Sequence, residues 1–143
     1  MMRSSASAIR PGNKIMRALI ASFAIIAAAS TLATAADPLS TLNGSEWGFP
    51  DAGNAHIQFR EKDVAGFSGC NRFFGSYSFV TGELTFGPLV STRMACAPDK
   101  METERKIRQL LEAVKSASAT HTVLTLKDGT GAVLATLNRR DFD

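Results

Sequence analysis

Cysteine and histidine are scarce in this 143-residue chain, two of each, and that scarcity removes whole classes of chemistry. No pair is spaced as CxxC or HxxxH, so the short ligand pairs that hold zinc are missing. Gly66, Gly69 and Gly75 fall among strand-like segments and do not precede a helix, which removes a phosphate-cradling loop. Acidic residues are scattered over expected surfaces, so no carboxylate pair for acid–base work stands out. Past the first 36 residues there is no internal repeat or low-complexity tract.

Acidic residues are also absent from the front of the chain, where Asp37 is the first of 13. Arg3, Arg10, Lys14 and Arg17 lie in that region, and subtracting these four from the 16 basic residues leaves 12 against 13 acidic. The basic isoelectric point near 9.1 thus belongs to the leader and is no argument for nucleic-acid binding. The positive segment, the uncharged run ALIASFAIIAAAS and the small residues of TLATAADP have the order of a secretory signal. Residues 1–36 are therefore expected to be a signal peptide, cut after Ala35 or Ala36. Met16 is a second candidate start. The uncharged stretch from Ala18 to Ala36 approaches the ~20 residues that span a bilayer, yet its second half is weakly apolar. Cleavage, with no stable membrane insertion afterwards, is the expectation. The leader holds no cysteine, which argues against a lipobox and for a periplasmic or secreted protein.

Export changes what two cysteines mean. Cys70 and Cys96 form an even count in a chain bound for an oxidising compartment, where such pairs usually cross-link. A bridge between them closes a loop of about 27 residues, worth roughly 3.5 kcal/mol on chain-entropy grounds. Residues 37–143 are enough for one domain.

Trp47, the sole tryptophan, lies between turn signals and is expected to anchor a first short strand. HIQFR (56–60) alternates Ile57 and Phe59 against polar residues, and Val64–Gly69 reads as its hairpin partner across EKD. In FFGSYSFV (73–80), Phe73, Tyr77 and Phe79 share one face with Gly75, while Phe74 and Val80 point the other way. Thr81-Gly82 turns the chain and ELTFG returns with Leu84 and Phe86 on one face. From Pro98 to Ala117 the rhythm becomes helical, with Ile107, Leu110, Leu111 and Val114 as the apolar stripe and Asp99 with Glu102 as a capping box. THTVLTL and AVLATL then form a hairpin through Asp128-Gly129, burying Leu124 and Leu126 against Val133, Ala135 and Leu137. Strands, one helix and a closing hairpin indicate an antiparallel sheet, since parallel pairing needs a crossover at each step.

Cys70 as a nucleophile would need His56 or His121 as base, and each is more simply a solvent-side residue of a strand. Arg72 and Arg93 lie close to the two cysteines, so a bridge draws them together. Their guanidinium forks are expected to stitch the loops to carbonyls and carboxylates; a small anion-recognising patch is the alternative.

GCNRFFGSYSF, LTFGPLVSTRMAC and the helix start METE closely resemble the META domain family, to which HslJ-like heat-shock proteins belong. The likeness covers roughly Leu42 to Leu137, and its motif residues here are Gly69, Cys70, Asn71, Arg72, Phe73, Ser91, Thr92, Arg93, Met94 and Cys96. The resemblance implies a mainly β domain, a small antiparallel β-barrel of lipocalin- or pilotin-like outline crossed by a single α-helix. It also implies an envelope protein linked to stress responses, motility or virulence, and offers no catalytic residues to carry over; no cofactor is expected, and the missing ligand spacing argues against a metal. Asn71, Arg72, Phe73, Ser91, Thr92, Arg93 and Met94 form the candidate binding patch. The expected activity is binding by a monomer to an unknown protein partner in the envelope, not to nucleic acid. The alternatives are a carrier of a small apolar ligand within the barrel and a pilotin-like chaperone of an outer-membrane assembly.

Overall fold

Alternation of apolar and polar residues builds this fold, and the computed structural model, which describes residues 40–141, shows which alternations pair. The expected signal peptide lies outside the described residues. The strands are β1 (Glu46–Gly48), β2 (His56–Phe59), β3 (Asp63–Phe67), β4 (Arg72–Val80), β5 (Glu83–Phe86), β6 (Val90–Ser91), β7 (Ser116–Ala119), β8 (Val123–Lys127) and β9 (Val133–Arg139), with one helix, α1 (Pro98–Ala113), between β6 and β7. All described pairings are antiparallel. The order β3-β2-β1-β9-β8-β7-β5-β4-β6, with β3 also paired to β4, closes the strands into a ring of barrel-like outline.

The inward side chains fill that ring. Trp47, Phe59, Leu84, Leu124, Leu126 and Leu137 are fully buried, and Ile107 and Leu111 of α1 join the same core. Trp47 satisfies its indole N–H on Ser45 Oγ at 2.7 Å, and the Arg139 guanidinium lies 5.4 Å from its ring centroid. Phe59 meets Tyr77 edge-on at 4.9 Å, an orientation that suits the ring quadrupoles. The Tyr77 hydroxyl donates to the Arg60 carbonyl at 2.7 Å, and burial raises its pKa above the ordinary phenol value. Gly66, opposite Phe73 on the neighbouring strand, is required because a Cβ there would lie 2.4 Å from the Phe73 ring.

Four local expectations are corrected. Asp99 does not cap α1: Pro98 takes the first helical position, the N-cap falls on Ala97, and no side chain bonds the exposed amides. Glu102 pairs instead with Arg105 and Lys106. The helix stops at Ala113, with Val114 in an extended conformation, and Ser116–Ala119 is a strand. Alanine and serine carry no strand signature, but Ala117 and Ala119 are buried opposite Leu126 and Leu124. Thr120–Thr122 lies ahead of β8, the Thr120 hydroxyl accepting from the Val123 amide at 3.1 Å. Val133 is 60% exposed and not buried with Leu137, because Leu126 pairs with Ala135 while Lys127 pairs with Val133. The extra residue, Leu134, is a bulge that turns Val133 outward.

The Asp128 carboxylate accepts from the Thr130 hydroxyl and from the Thr130 and Ala132 amides, which fixes the β8–β9 turn and holds its pKa below the usual carboxylate value. The vacant N-cap gives a stability test. Ala97 already has cap-like angles, φ −56° and ψ 150°, so Ala97→Asp is expected to stabilise the domain by about 1 kcal/mol, read as a higher urea midpoint with unchanged slope.

Candidate functional site

The turn between β3 and β4 organises this region. Ser68 bonds the Asn71 carbonyl through its amide and its hydroxyl, both at 2.9 Å, so the chain reverses over four residues and points the Asn71 side chain inward. Asn71 is 2% exposed, and every hydrogen-bonding position of its amide is occupied. Its Nδ2 donates to Glu104 Oε2 at 2.8 Å and to the Met94 carbonyl at 3.3 Å. Its Oδ1 accepts from the Met94 amide at 2.7 Å and from the Thr92 hydroxyl at 2.9 Å. One buried side chain thereby ties β4, the segment after β6, and α1 together.

Two further links hold the same segment. Cys70 and Cys96 form a disulfide, so in this form neither supplies a thiol nucleophile. Thr92 donates its amide to the Arg72 carbonyl at 3.0 Å, and its Oγ1 accepts from the Arg72 amide at 3.1 Å. Residues 91–96 form a strap pinned at both ends.

The strap is offset from β5 by one residue. Tyr77 pairs with Phe86, whereas Phe74 pairs with Val90, so Gly87–Leu89 contains an extra residue between β5 and β6 along one flank of β4. Gly75 permits the close crossing, since a Cβ there would sit 2.7 Å from the Pro88 carbonyl oxygen. The displaced segment stands off from α1 and leaves a groove of about 630 Å³ between strap and helix. A second hollow of about 390 Å³ adjoins it, sharing Leu89, Arg108 and Leu111, and reaches Lys115 past the end of the helix. The floor includes Phe73, Leu89, Ile107 and Leu111. Glu104 lies beneath it, 5% exposed, held by Asn71 and by Arg108 at 3.3 Å.

Six of the seven expected patch residues, Asn71, Phe73, Ser91, Thr92, Arg93 and Met94, line this groove. Arg72 does not; it is exposed on the outer face of β4. Nor do the arginines stitch the loops. Among the described residues neither the Arg72 nor the Arg93 guanidinium makes a hydrogen bond or ion pair, and Asn71 does the stitching. His56 and His121 lie outside the groove lining. The helix wall, with Met101, Glu104 and Arg108, was not foreseen. Its signal was an acid at position 104, three residues before Ile107 and seven before Leu111, on the stripe expected to face the core.

The META domain family model matches residues 30–141. Heat shock protein HslJ of Escherichia coli (strain K12) is 38% identical over 77 residues, which are 53% of this chain; the chain spans 55% of that relative's length. The NMR structure of a protein from Burkholderia xenovorans superposes with a TM-score of 0.60 at 25% identity, covering 70% of this chain and 84% of that one. Another NMR structure superposes with a TM-score of 0.52 at 30% identity, over 69% and 90% of the two chains.

Removing the Asn71 amide takes one of two partners from the buried Glu104 carboxylate and leaves both main-chain groups of Met94 without theirs. Asn71→Ala is expected to cost about 3 kcal/mol in urea unfolding, while Arg93→Ala stays within about 0.5 kcal/mol of the parent. Equal losses would mean that the asparagine carries no more of the strap than the arginine does.

Proposed function

This chain belongs to the META domain family, and from that premise we propose that it is an exported, non-enzymatic binding protein of the cell envelope, acting in stress response through the groove between the strap and α1. The observation that carries this reading is the division of labour among the motif residues. Asn71 and Thr92 spend their polar side-chain groups on internal hydrogen bonds, leaving no poised acid, base or nucleophile among them. What faces solvent is a concavity with an apolar floor and the Arg93 guanidinium, which has no partner among the described residues, the composition of a recognition site.

Export is supported by the order of the leader and by the Cys70–Cys96 disulfide, a bond that persists in oxidising compartments. The name of the E. coli relative, a heat shock protein, supports the stress role. The ring interior is filled by large side chains such as Trp47 and Phe59, which favours an occupant in the outer groove over one enclosed among the strands.

Intact-mass analysis of protein from its own host is expected to show a chain beginning at Ala36 or Asp37, with two thiols alkylated only after reduction. An uncleaved leader would overturn the cleaved, exported form and favour a membrane anchor. A photo-crosslinking amino acid at Met94, which is 55% exposed beside the groove, is expected to capture a discrete partner in stressed cells. The same residue placed at Thr122, away from the groove, is the control. Identical products from both positions, or none from Met94, would overturn the binding role.

A further inference from the structure

The groove has one wall that an ordinary pocket lacks, a row of unused main-chain hydrogen-bonding groups. In an antiparallel ladder, successive residues turn their N–H and C=O alternately toward the partner strand and away from it. The Thr92 amide bonds the Arg72 carbonyl, so Thr92 and Val90 face β4, and Ser91 and Arg93 turn their main-chain groups the other way. By the same rule the Gly87 amide on the Ser76 carbonyl turns Phe86 outward. None of these outward groups is hydrogen-bonded among the described residues. Sheet edges are normally paired, covered or blunted; here α1 stands across a groove and leaves the edge open.

We propose, on the reading that this groove is the binding site, that it takes an extended, acidic peptide segment of a partner protein, which adds to the sheet beside β6. Its main chain pairs with Ser91 and Arg93, and its alternate apolar side chains enter the floor at Phe73, Leu89, Ile107 and Leu111. The two adjoining hollows run beside α1 from Met101 to its end at Ala113 and on to Lys115; the helical part alone is about 18 Å of rise, which matches roughly five to six residues of extended strand. An elongated trough edged with amide donors and acceptors suits a peptide main chain better than a compact apolar ligand.

Charge selects the acidic class. Arg93 and Lys115 border the trough, and Arg108 beside them is paired with Glu104. Of the two acids there, Glu104 is buried and already bonded by Asn71 and Arg108, and Glu112 alone stands exposed. Val90, Met94 and Met101 flank the opening, 53%, 55% and 39% exposed, and the two methionines supply adaptable apolar contact.

The test uses the mature protein against arrayed N-acetylated hexapeptides that alternate Asp or Glu with Val, Leu or Phe. Matched sets carry lysine for the acids, or N-methyl groups on alternate residues. The acidic set is expected to bind saturably, with about tenfold weaker binding after lysine replacement and at least a similar loss for one of the two N-methyl registers. S91P removes the outward donor together with the exposed bond from the Ser91 hydroxyl to the Thr92 carbonyl, and R93E reverses the rim charge; each should keep the parent circular dichroism and lose binding about tenfold. If S91P unfolds, the N-methyl series still decides. Equal binding by both N-methyl registers and the parent peptides overturns strand addition, and equal binding by the lysine set overturns the charge selection. Self-association that buries Ser91 would assign the edge to a second copy and overturn the proposal. Failure of every acidic peptide, with the Met94 crosslink intact, overturns the peptide class and leaves the binding role standing.

Discussion

The Asn71 carboxamide is the interaction on which this structure depends. It lies where three pieces distant in sequence converge, and each of its donor and acceptor positions meets a different demand: the Glu104 carboxylate, both main-chain groups of Met94, and the Thr92 hydroxyl. Only a side chain with two donors and an acceptor of two lone pairs can do this. An aspartate would bring a second carboxylate against Glu104, and a leucine would take away the partner that Asn71 gives to four polar groups. The disulfide beside it joins the same two segments, so covalent and polar constraints act in parallel. The disulfide limits how far the strap can wander, and the asparagine sets which way its residues face.

That orientation makes the groove. With the strap held from Asn71, and offset from β5 by the residue inserted in Gly87–Leu89, the edge of β6 turns toward α1 without touching it along its length. The bulge supplies the displacement, Gly75 the room for it, and Glu104 the anchor that keeps the helix in register with the turn. Rigid surroundings keep the groove shape from depending on an occupant, which lowers the ordering cost of binding.

Strands with a strong period of two were legible in the sequence. Ile57 and Phe59, the Phe73–Tyr77–Phe79 face, and Leu124 with Leu126 all fall where alternation places them. Ser116–Ala119 was not legible, because its residues are small enough to fit any backbone and its strand character comes from the partners on either side, β5 and β8. Val133 was misplaced by a bulge, a one-residue event that reverses every inference from alternation beyond it. At the candidate site the motif residues pointed to the right place with the wrong agents. Charge drew the expectation to Arg72 and Arg93, whereas the work falls to an uncharged amide whose four bonds exist only after residues 71, 92, 94 and 104 have come together. The helix wall escaped for the same reason: Glu104 reads as one more acid on a charged helix until its partner is known.

The pairing of β1 with β9 places Trp47 at the seam where the first and last described strands meet, with Arg139 over its ring. Because the chain has no other tryptophan, its intrinsic fluorescence watches ring closure and little else. Loss of the strap's grip would pass almost silently in that signal, while opening of the sheet would register in full. The chain thus carries an optical reporter that separates local release from global unfolding.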